Sequence, residues 1–318
     1  MTAFPSPVVF FGTSDFAVPV FSELASRTEV TLVVTQPDRP AGRGRKLTPP
    51  PVKRAAIERA IALVQPERIK AVEFVERIAA ERPRAIVVVS YGKILGPAIL
   101  GIPPLGCINV HASLLPKYRG AAPIQRSILN GEARTGVSVM RMDEGLDTGP
   151  ILAQDAVDID PNETAGDLSR RLSELGARTL VLTLERMETI APMTQDPALA
   201  TQAAKITKED CVVDWTLPAF GVHNRIRALS PEPGAFTFLG DERLILLRSR
   251  VIGADHHQDP GGIVRAGKNE LFVACGSDLV QVLELKPAGR RPMSGGEYLA
   301  GRRGTDGARM TGPGNRSA

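Results

Sequence analysis

The chain has 318 residues, with 39 Lys+Arg against 35 Asp+Glu and a formal net charge of +4 at pH 7. Hydrophobic residues make up 43% and charged residues 23%, which excludes an intrinsically disordered chain, and the length allows roughly two domains with cores of their own. Three widely spaced cysteines, Cys107, Cys211 and Cys275, argue against a disulfide framework and for a reducing, cytoplasmic setting, and no apolar run approaches the length of about 18 residues that a membrane span needs.

Residues 8–11 form a compact apolar run that stops at Gly12. With no basic residues before it, the run reads as a first strand and not as a secretory leader. Ser14 or Asp15 is placed to cap a helix through Val18, Phe21 and Leu24. Residues 30–35 are a second, β-branched strand. Residues 52–63 read as a helix with Val52, Ala55, Ala56 and Ala60 on one face, and residues 72–80 as another, ended by the Arg82-Pro83 step. Strands follow at 86–89, 108–111, 137–142 and 151–157, then a long helix over 164–190 carrying Leu168, Leu172, Leu175 and Leu182. Strands without polar alternation, separated by helices, predict an α/β fold: a Rossmann-like, doubly wound, mostly parallel sheet covered on both faces. Pro192, Pro197 and small polar residues make 191–204 a linker. Beyond it lie one helix, 218–229, and five short strands at 235–238, 244–251, 262–266, 271–274 and 279–285. That texture predicts a small antiparallel OB-like β-barrel. The tail from Gly301 lacks apolar periodicity and reads as mobile. The expected division is therefore 1–190, 191–204 and 205–318.

Chemistry gathers in the segment from Gly106 to Pro123. Asn109 and His111 are two apart on a strand and share one face, at the C-terminal end where open α/β sheets bind ligands. Leu114 and Leu115 are too apolar for an ordinary exposed turn, and Pro116, Gly120 and Pro123 force an irregular loop. Further on, Asp147 stands between Gly145 and Gly149. An Asn to bond a developing oxyanion, a His to move a proton, and an Asp to orient the imidazole make a possible acyl-transfer site. By themselves an Asn-x-His strand and a Gly-Leu-Asp-Thr-Gly turn are more often structural. Cys107 shares the face of Asn109 and His111, but two residues do not make a zinc site and no other Cys/His pair has ligand spacing, so no metal is expected and Cys107 reads as a core thiol. His256 and His257 fall in a polar loop, and His223 suits packing or surface. Gly12-Thr13-Ser14-Asp15 resembles a dinucleotide loop, yet Ser14 stands where a second glycine should be, which leaves a nicotinamide oxidoreductase as a weak alternative. Arg39, Arg43, Arg45, Lys46, Lys53 and Arg54 fall within one short stretch with no acid among them. By composition alone this is a solvated basic loop. Lys205, Lys208, Arg225, Arg227, Arg248, Arg250, Lys286, Arg290 and Arg291 add positive charge further on.

The Asn-x-His…Leu-Asp-Thr-Gly order resembles the formyltransferases that use 10-formyltetrahydrofolate. Further stretches are similar to the branch acting on methionyl-tRNA: Phe11–Ala17, Gln36–Gly44, Tyr91–Lys93, Ser113–Pro116, Arg119–Gln125, Ile226–Pro231 and Lys286–Gly289. This resemblance runs nearly the length of the chain. It implies an enzyme of translation initiation that formylates the α-amine of initiator methionyl-tRNA, with Asn109, His111 and Asp147 catalytic. It implies a folate co-substrate beside Ser113, Leu114, Leu115, Pro116, Val89 and Tyr91. It implies that Arg39, Arg43, Arg45 and Lys46 meet the tRNA, with Arg43 foremost. Only the substrates are expected as partners, with no membrane and a monomeric chain. Two other readings stay open: a different folate-dependent formyltransferase or formyl-folate hydrolase, and a non-catalytic RNA-binding protein on the same scaffold.

Overall fold

The computed structural model of the chain describes residues 4–41, 46–264, 270–302 and 308–313. In chain order its first elements are β1 (Val8–Gly12), α1 (Ala17–Arg27), β2 (Val30–Val34), β3 (Arg39–Ala41), β4 (Lys46–Thr48), α2 (Pro51–Glu58), β5 (Leu63–Val64), α3 (Val72–Ala80) and β6 (Ala85–Val89). Then come α4 (Pro97–Leu100), β7 (Cys107–His111), β8 (Arg119–Gly120), α5 (Pro123–Leu129), β9 (Arg134–Arg141), β10 (Ile151–Asp158), α6 (Ala165–Glu185) and β11 (Gln202–Ala203). Seven strands form one sheet in the order β10-β9-β7-β6-β1-β2-β5. The run from β7 to β5 is parallel, and β9 joins β7 antiparallel. Every side chain of β1 and β6 is buried because both faces are covered. On one face Val8, Phe10 and Val87 meet Phe21 and Leu24 of α1 and Leu180 and Leu184 of α6. On the other, Val9, Phe11, Ile86 and Val88 meet Phe74 and Ile78 of α3. The chain runs outward through β1, β2 and β5 and then returns to β6. The strand order therefore reverses between β1 and β6, and the open crevice lies at their C-terminal ends.

Two local expectations fail for identifiable reasons. Neither Ser14 nor Asp15 caps α1: the N-cap is Phe16 without a side-chain bond, and the Ser14 hydroxyl bonds that of Ser90 at 2.8 Å. The helix expected over 52–63 stops at Glu58, because Ala60 turns into the left-handed region at φ 53°.

The fold has two compact units. One comprises Met1–Pro123, Arg134–Val157 and Ser169–Ala203; the other comprises Ile124–Ala133, Asp158–Leu168 and Ala204–Ala318. The second unit adds α7 (Ala219–Ala228), β12 (Ala235–Leu239), β13 (Glu242–Ile252), β14 (Ile263–Val264), β15 (Leu271–Ala274), β16 (Leu279–Pro287), β17 (Met293–Ser294), α8 (Gly295–Ala300) and β18 (Met310–Thr311). Its sheet runs β14-β15-β16-β13-β12-β18, with every neighbouring pair antiparallel. An antiparallel bridge from Gly262 to Arg309 joins the two ends. Met310 N–H donates to the Gly261 carbonyl at 2.8 Å, and Ile263 N–H to that of Ala308 at 3.0 Å. The sheet thus closes on itself, which removes the open edge that an unpaired strand would present. The tail expected to be mobile supplies the closing strand, and Met310 is only 1% exposed in a core with Trp215, Leu244, Leu246 and Leu285. Residues 265 and 266 of the expected strand lie outside the described residues.

His223, read as packing or surface, and two arginines of the C-terminal segment serve this interior. His223 is buried between the Ser249 hydroxyl and the Pro161 carbonyl, each at 2.9 Å, and burial pushes its pKa down. Arg227, counted above with the positive charge of the C-terminal segment, is buried. It donates to Asn224 Oδ1 and to the carbonyls of Asp160 and Glu163. Arg225 likewise donates to the Val212 carbonyl at 2.8 Å. His256 is half-buried, with Nε2 at 2.9 Å from the Asp278 carbonyl. Among the described residues no helix is long and apolar enough to cross a membrane, and no three His, Cys, Asp or Glu are grouped to hold a metal ion.

Candidate active site

Strand β7 sets one face of the site. Cys107 is buried in the α3-side core, and burial pushes its thiol up to about 12, so it holds its proton and offers no thiolate. Two residues on, half-buried Asn109 puts Nδ2 at 3.4 Å from Asp147 Oδ1. At the strand end, His111 Nε2 lies 2.8 Å from the Tyr118 carbonyl oxygen. A carbonyl only accepts, so Nε2 carries the hydrogen. Nδ1, which keeps its lone pair whenever the ring is neutral, lies 3.7 Å from Asp147 Oδ2. Asp147 itself sits at φ 53°, and its Oδ2 accepts the Gly120 N–H at 2.8 Å. The sequence assigned orientation of the imidazole to Asp147. In the structure the Tyr118 carbonyl orients the ring, and Asp147 is held nearby by backbone, close enough to oppose a positive charge arising at Nδ1.

The apolar loop after β7 is braced from behind. Ser138 of β9 donates to the Ser113 carbonyl at 2.6 Å and accepts from Leu115 N–H at 3.0 Å. Gln154 of β10 donates to both the Leu115 carbonyl and the Ser138 hydroxyl. The Ser113 hydroxyl is turned to the Lys117 carbonyl at 2.6 Å. Leu115 packs its side chain against Met140 and Ile151, while Leu114 and Pro116 stay half-buried. Val89 packs with Ile108 and Val110, the residues of β7 that point away from Asn109, so its side chain does not line the Asn109 face. Tyr91 is buried edge-on to Phe11 at 5.1 Å between ring centroids, burial pushes its phenol up to about 12, and its hydroxyl has no hydrogen-bond partner among the described residues.

The segment expected to be a linker also shapes the site. Met193 and Ile151 exchange two backbone bonds of 2.8 Å. Strand β11 pairs in parallel with β8, and Thr201 Oγ1 accepts the Tyr118 N–H at 2.8 Å. Gly120 has φ 125°, and a Cβ there would lie 2.8 Å from the Ala203 carbonyl oxygen. Gly120→Ala should therefore cost about 1–3 kcal/mol of stability and dislodge the N–H that holds Asp147. A lowered thermal midpoint together with a lowered kcat is the expected result; an unchanged kcat would mean that the Gly120 bond does not matter.

Within the basic segment, read by composition as a solvated loop, β3 and β4 pair antiparallel, Arg39 with Thr48 and Ala41 with Lys46. Arg39 and Lys46 are exposed, whereas Arg43 and Arg45 lie outside the described residues. Lys53 does not add a free charge. Its ammonium bonds both Asp38 oxygens at 2.8 Å and Gln65 Oε1 at 2.7 Å, and the bond to Lys53 holds the Asp38 carboxyl below its ordinary range.

Comparison with known proteins agrees along nearly the whole chain. Residues 7–184 match the family described as formyl transferase, and residues 205–303 match the formyl transferase C-terminal domain. The methionyl-tRNA formyltransferase of Trichlorobacter lovleyi is 47% identical over 297 residues, covering 92% of this chain and 93% of that protein. That of Geobacter sulfurreducens is 45% identical, covering 95% and 96%. Among solved structures, HypX from Aquifex aeolicus in complex with tetrahydrofolic acid superimposes with a TM-score of 0.65 at 16% identity; the match covers 92% of this chain and 46% of HypX. An N-formyltransferase from Helicobacter canadensis, in complex with folinic acid and dTDP-3-aminofucose, gives 0.62 at 17% identity, covering 86% and 98%. At those identities the two structures speak for the fold.

Proposed function

The chain belongs to the formyl transferase family, among the methionyl-tRNA formyltransferases, and from that premise we propose how its residues divide the work. The enzyme formylates methionyl-tRNA using a folate-derived donor. The donor is 10-formyltetrahydrofolate, and the acceptor is the α-amine of methionine on the initiator tRNA. When bound, the folate supplies an electrophilic formyl carbon. Two features fit a folate at this site: the orphaned, buried Tyr91 hydroxyl, which the polar edge of a bound ring would satisfy, and the braced 113–116 loop with Leu114 half-buried.

The acceptor amine must be neutral, since its lone pair makes the new bond. An Asn109 N–H donates to the formyl oxygen as negative charge develops there. His111 Nδ1, the nitrogen left without hydrogen, takes the proton that the amine gives up. Asp147 Oδ2 opposes the charge of the resulting imidazolium, and Nδ1 then returns the proton to the departing nitrogen. One observation carries this reading: the 2.8 Å bond from His111 Nε2 to Tyr118, which leaves the lone pair on the side of Asn109 and Asp147. A monomer suffices, because every group invoked comes from one chain, and the substrates of translation put the reaction in the cytoplasm.

The ribbon of β3 and β4 presents Arg39 and Lys46, with Arg43 and Arg45 between them in sequence, to the phosphates of the acceptor end. Arg43→Ala should raise KM for tRNA several-fold, leave KM for folate unchanged, and lower the salt slope of log kcat/KM by about one per lost phosphate contact. Equal kcat/KM for variant and parent across a salt series would refute a role for the ribbon.

The whole reading is tested by supplying 10-formyltetrahydrofolate with initiator methionyl-tRNA, free methionine, a sugar-nucleotide amine or water alone. Transfer to methionyl-tRNA only is expected. Comparable transfer to a sugar amine, or to water, would assign the chain to another branch.

A further inference from the structure

Gln195 lies 48 residues beyond Asp147 in the chain, yet it is bonded directly to the turn that carries that carboxylate. Its Nε2 donates to the Asp147 carbonyl at 2.9 Å and to the Gly149 carbonyl at 2.7 Å. Its Oε1 accepts from Nε and Nη2 of Arg119 at 3.0 and 2.7 Å. Both side chains are buried, Gln195 to 6% exposure and Arg119 to 8%. Every polar end of the Gln195 amide is therefore used, and its orientation is fixed by a cation on one side and two carbonyls on the other.

Arg119 is placed to link these bonds to the reacting groups. The residue before it, Tyr118, has φ 62° and lends its carbonyl to His111. The residue after it, Gly120, lends its N–H to Asp147. The guanidinium between them reaches Gln195, and Gln195 grips the Asp147 turn. The circuit closes: Arg119 to Gln195, to the backbone at 147 and 149, through the Asp147 carboxylate to Gly120, and back to Arg119. Two loops that meet nowhere in sequence are tied at both ends. We propose that Gln195, held by Arg119, is a positioning residue for formyl transfer, which sets the distance between Asp147 and His111 through the backbone of the 147–149 turn.

This inference rests on the roles given above to His111 and Asp147, so the test measures those first. The parent enzyme must transfer formyl to methionyl-tRNA, and Asp147→Asn must lower kcat. A parent without transfer, or an Asp147→Asn variant with the parent's kcat, overturns the catalytic reading itself. With that established, Gln195→Glu keeps an acceptor for Arg119, and so keeps the buried cation paired, but it removes both donors and faces carboxylate oxygen against two carbonyls. Arg119→Lys keeps the charge and loses the fork that fixes the amide, and it is the second variant should Gln195→Glu not fold. Each is measured alone and combined with Asp147→Asn, in the full chain, with single-turnover kinetics. The expected result is a fall in kcat of about 10- to 100-fold for Gln195→Glu and about 3- to 10-fold for Arg119→Lys, KM for both substrates held within about three-fold, and no further fall in the Asp147→Asn background. Wild-type kcat in both variants, or losses that add fully to that of Asp147→Asn, overturns the proposal, because general damage to the fold would not depend on what stands at 147.

Discussion

Asn109→Ala is expected to lower the single-turnover rate of formyl transfer by about 10²–10³, the usual loss of one preorganised oxyanion donor. KM for folate and tRNA should move little, since the bond strengthens only as charge develops on the formyl oxygen. His111→Ala should lose at least as much. It removes both imidazole nitrogens from the site, and with them the bond from Nε2 to the Tyr118 carbonyl. The fold should survive both changes, because β7 is held by β6 and β9 through backbone bonds and by Ile108 and Val110 in the core. Rapid-quench transfer measured beside a melting curve separates chemistry from stability. A near-normal rate from His111→Ala would remove the imidazole from the mechanism.

Truncation after Arg302 should cost stability on a scale that matters to the whole second unit. Burying Met310 contributes about 2–3 kcal/mol, and each bond that closes the ring about 0.5–1.5 kcal/mol. The sum, on the order of 5 kcal/mol, rivals the total stability of roughly 5–15 kcal/mol that a small domain possesses. The truncated chain should lose its cooperative melt in the second unit and expose the backbone of Ile263 and Leu239 to hydrogen exchange. Met310→Ala, which keeps the strand pairing, should lose only about 2–4 kcal/mol. An unchanged melting profile after truncation would show that the closing strand contributes nothing.

The parallel sheet is legible in the sequence because its strands are buried on both faces. Runs such as Ile86-Val87-Val88-Val89 have no alternative exposed arrangement. The pairing of Asn109 with His111 is legible for a simpler reason, the two-residue period of a strand. Less visible are features that depend on partners far along the chain. Ser14 looks like a cap until Ser90 is brought to it. Gln195 is one amide in a polar stretch, and nothing nearby in sequence announces the Asp147 turn. The described part of the tail after Gly301 shows no periodicity because its strand is only two residues long, with Met310 buried in the barrel core. One missed feature was readable: Ser294-Gly295-Gly296-Glu297 is a capping-box spacing, and both of its reciprocal bonds open α8.

The way Arg227 and His223 are satisfied bears on whether the barrel can be moved as a part. Among their acceptors are the carbonyls of Asp160, Pro161 and Glu163, which lie more than sixty residues before them in the chain. A gene fragment starting at Lys205 would encode every strand of the barrel and still leave a guanidinium buried without those carbonyls. Recombination that grafted the barrel onto another enzyme would have to carry the 158–168 segment with it, or replace Arg227 by an apolar residue in the same step. The 158–168 segment is thus a working part of the barrel's own unit, and a C-terminal fragment that lacks it is expected to be incomplete.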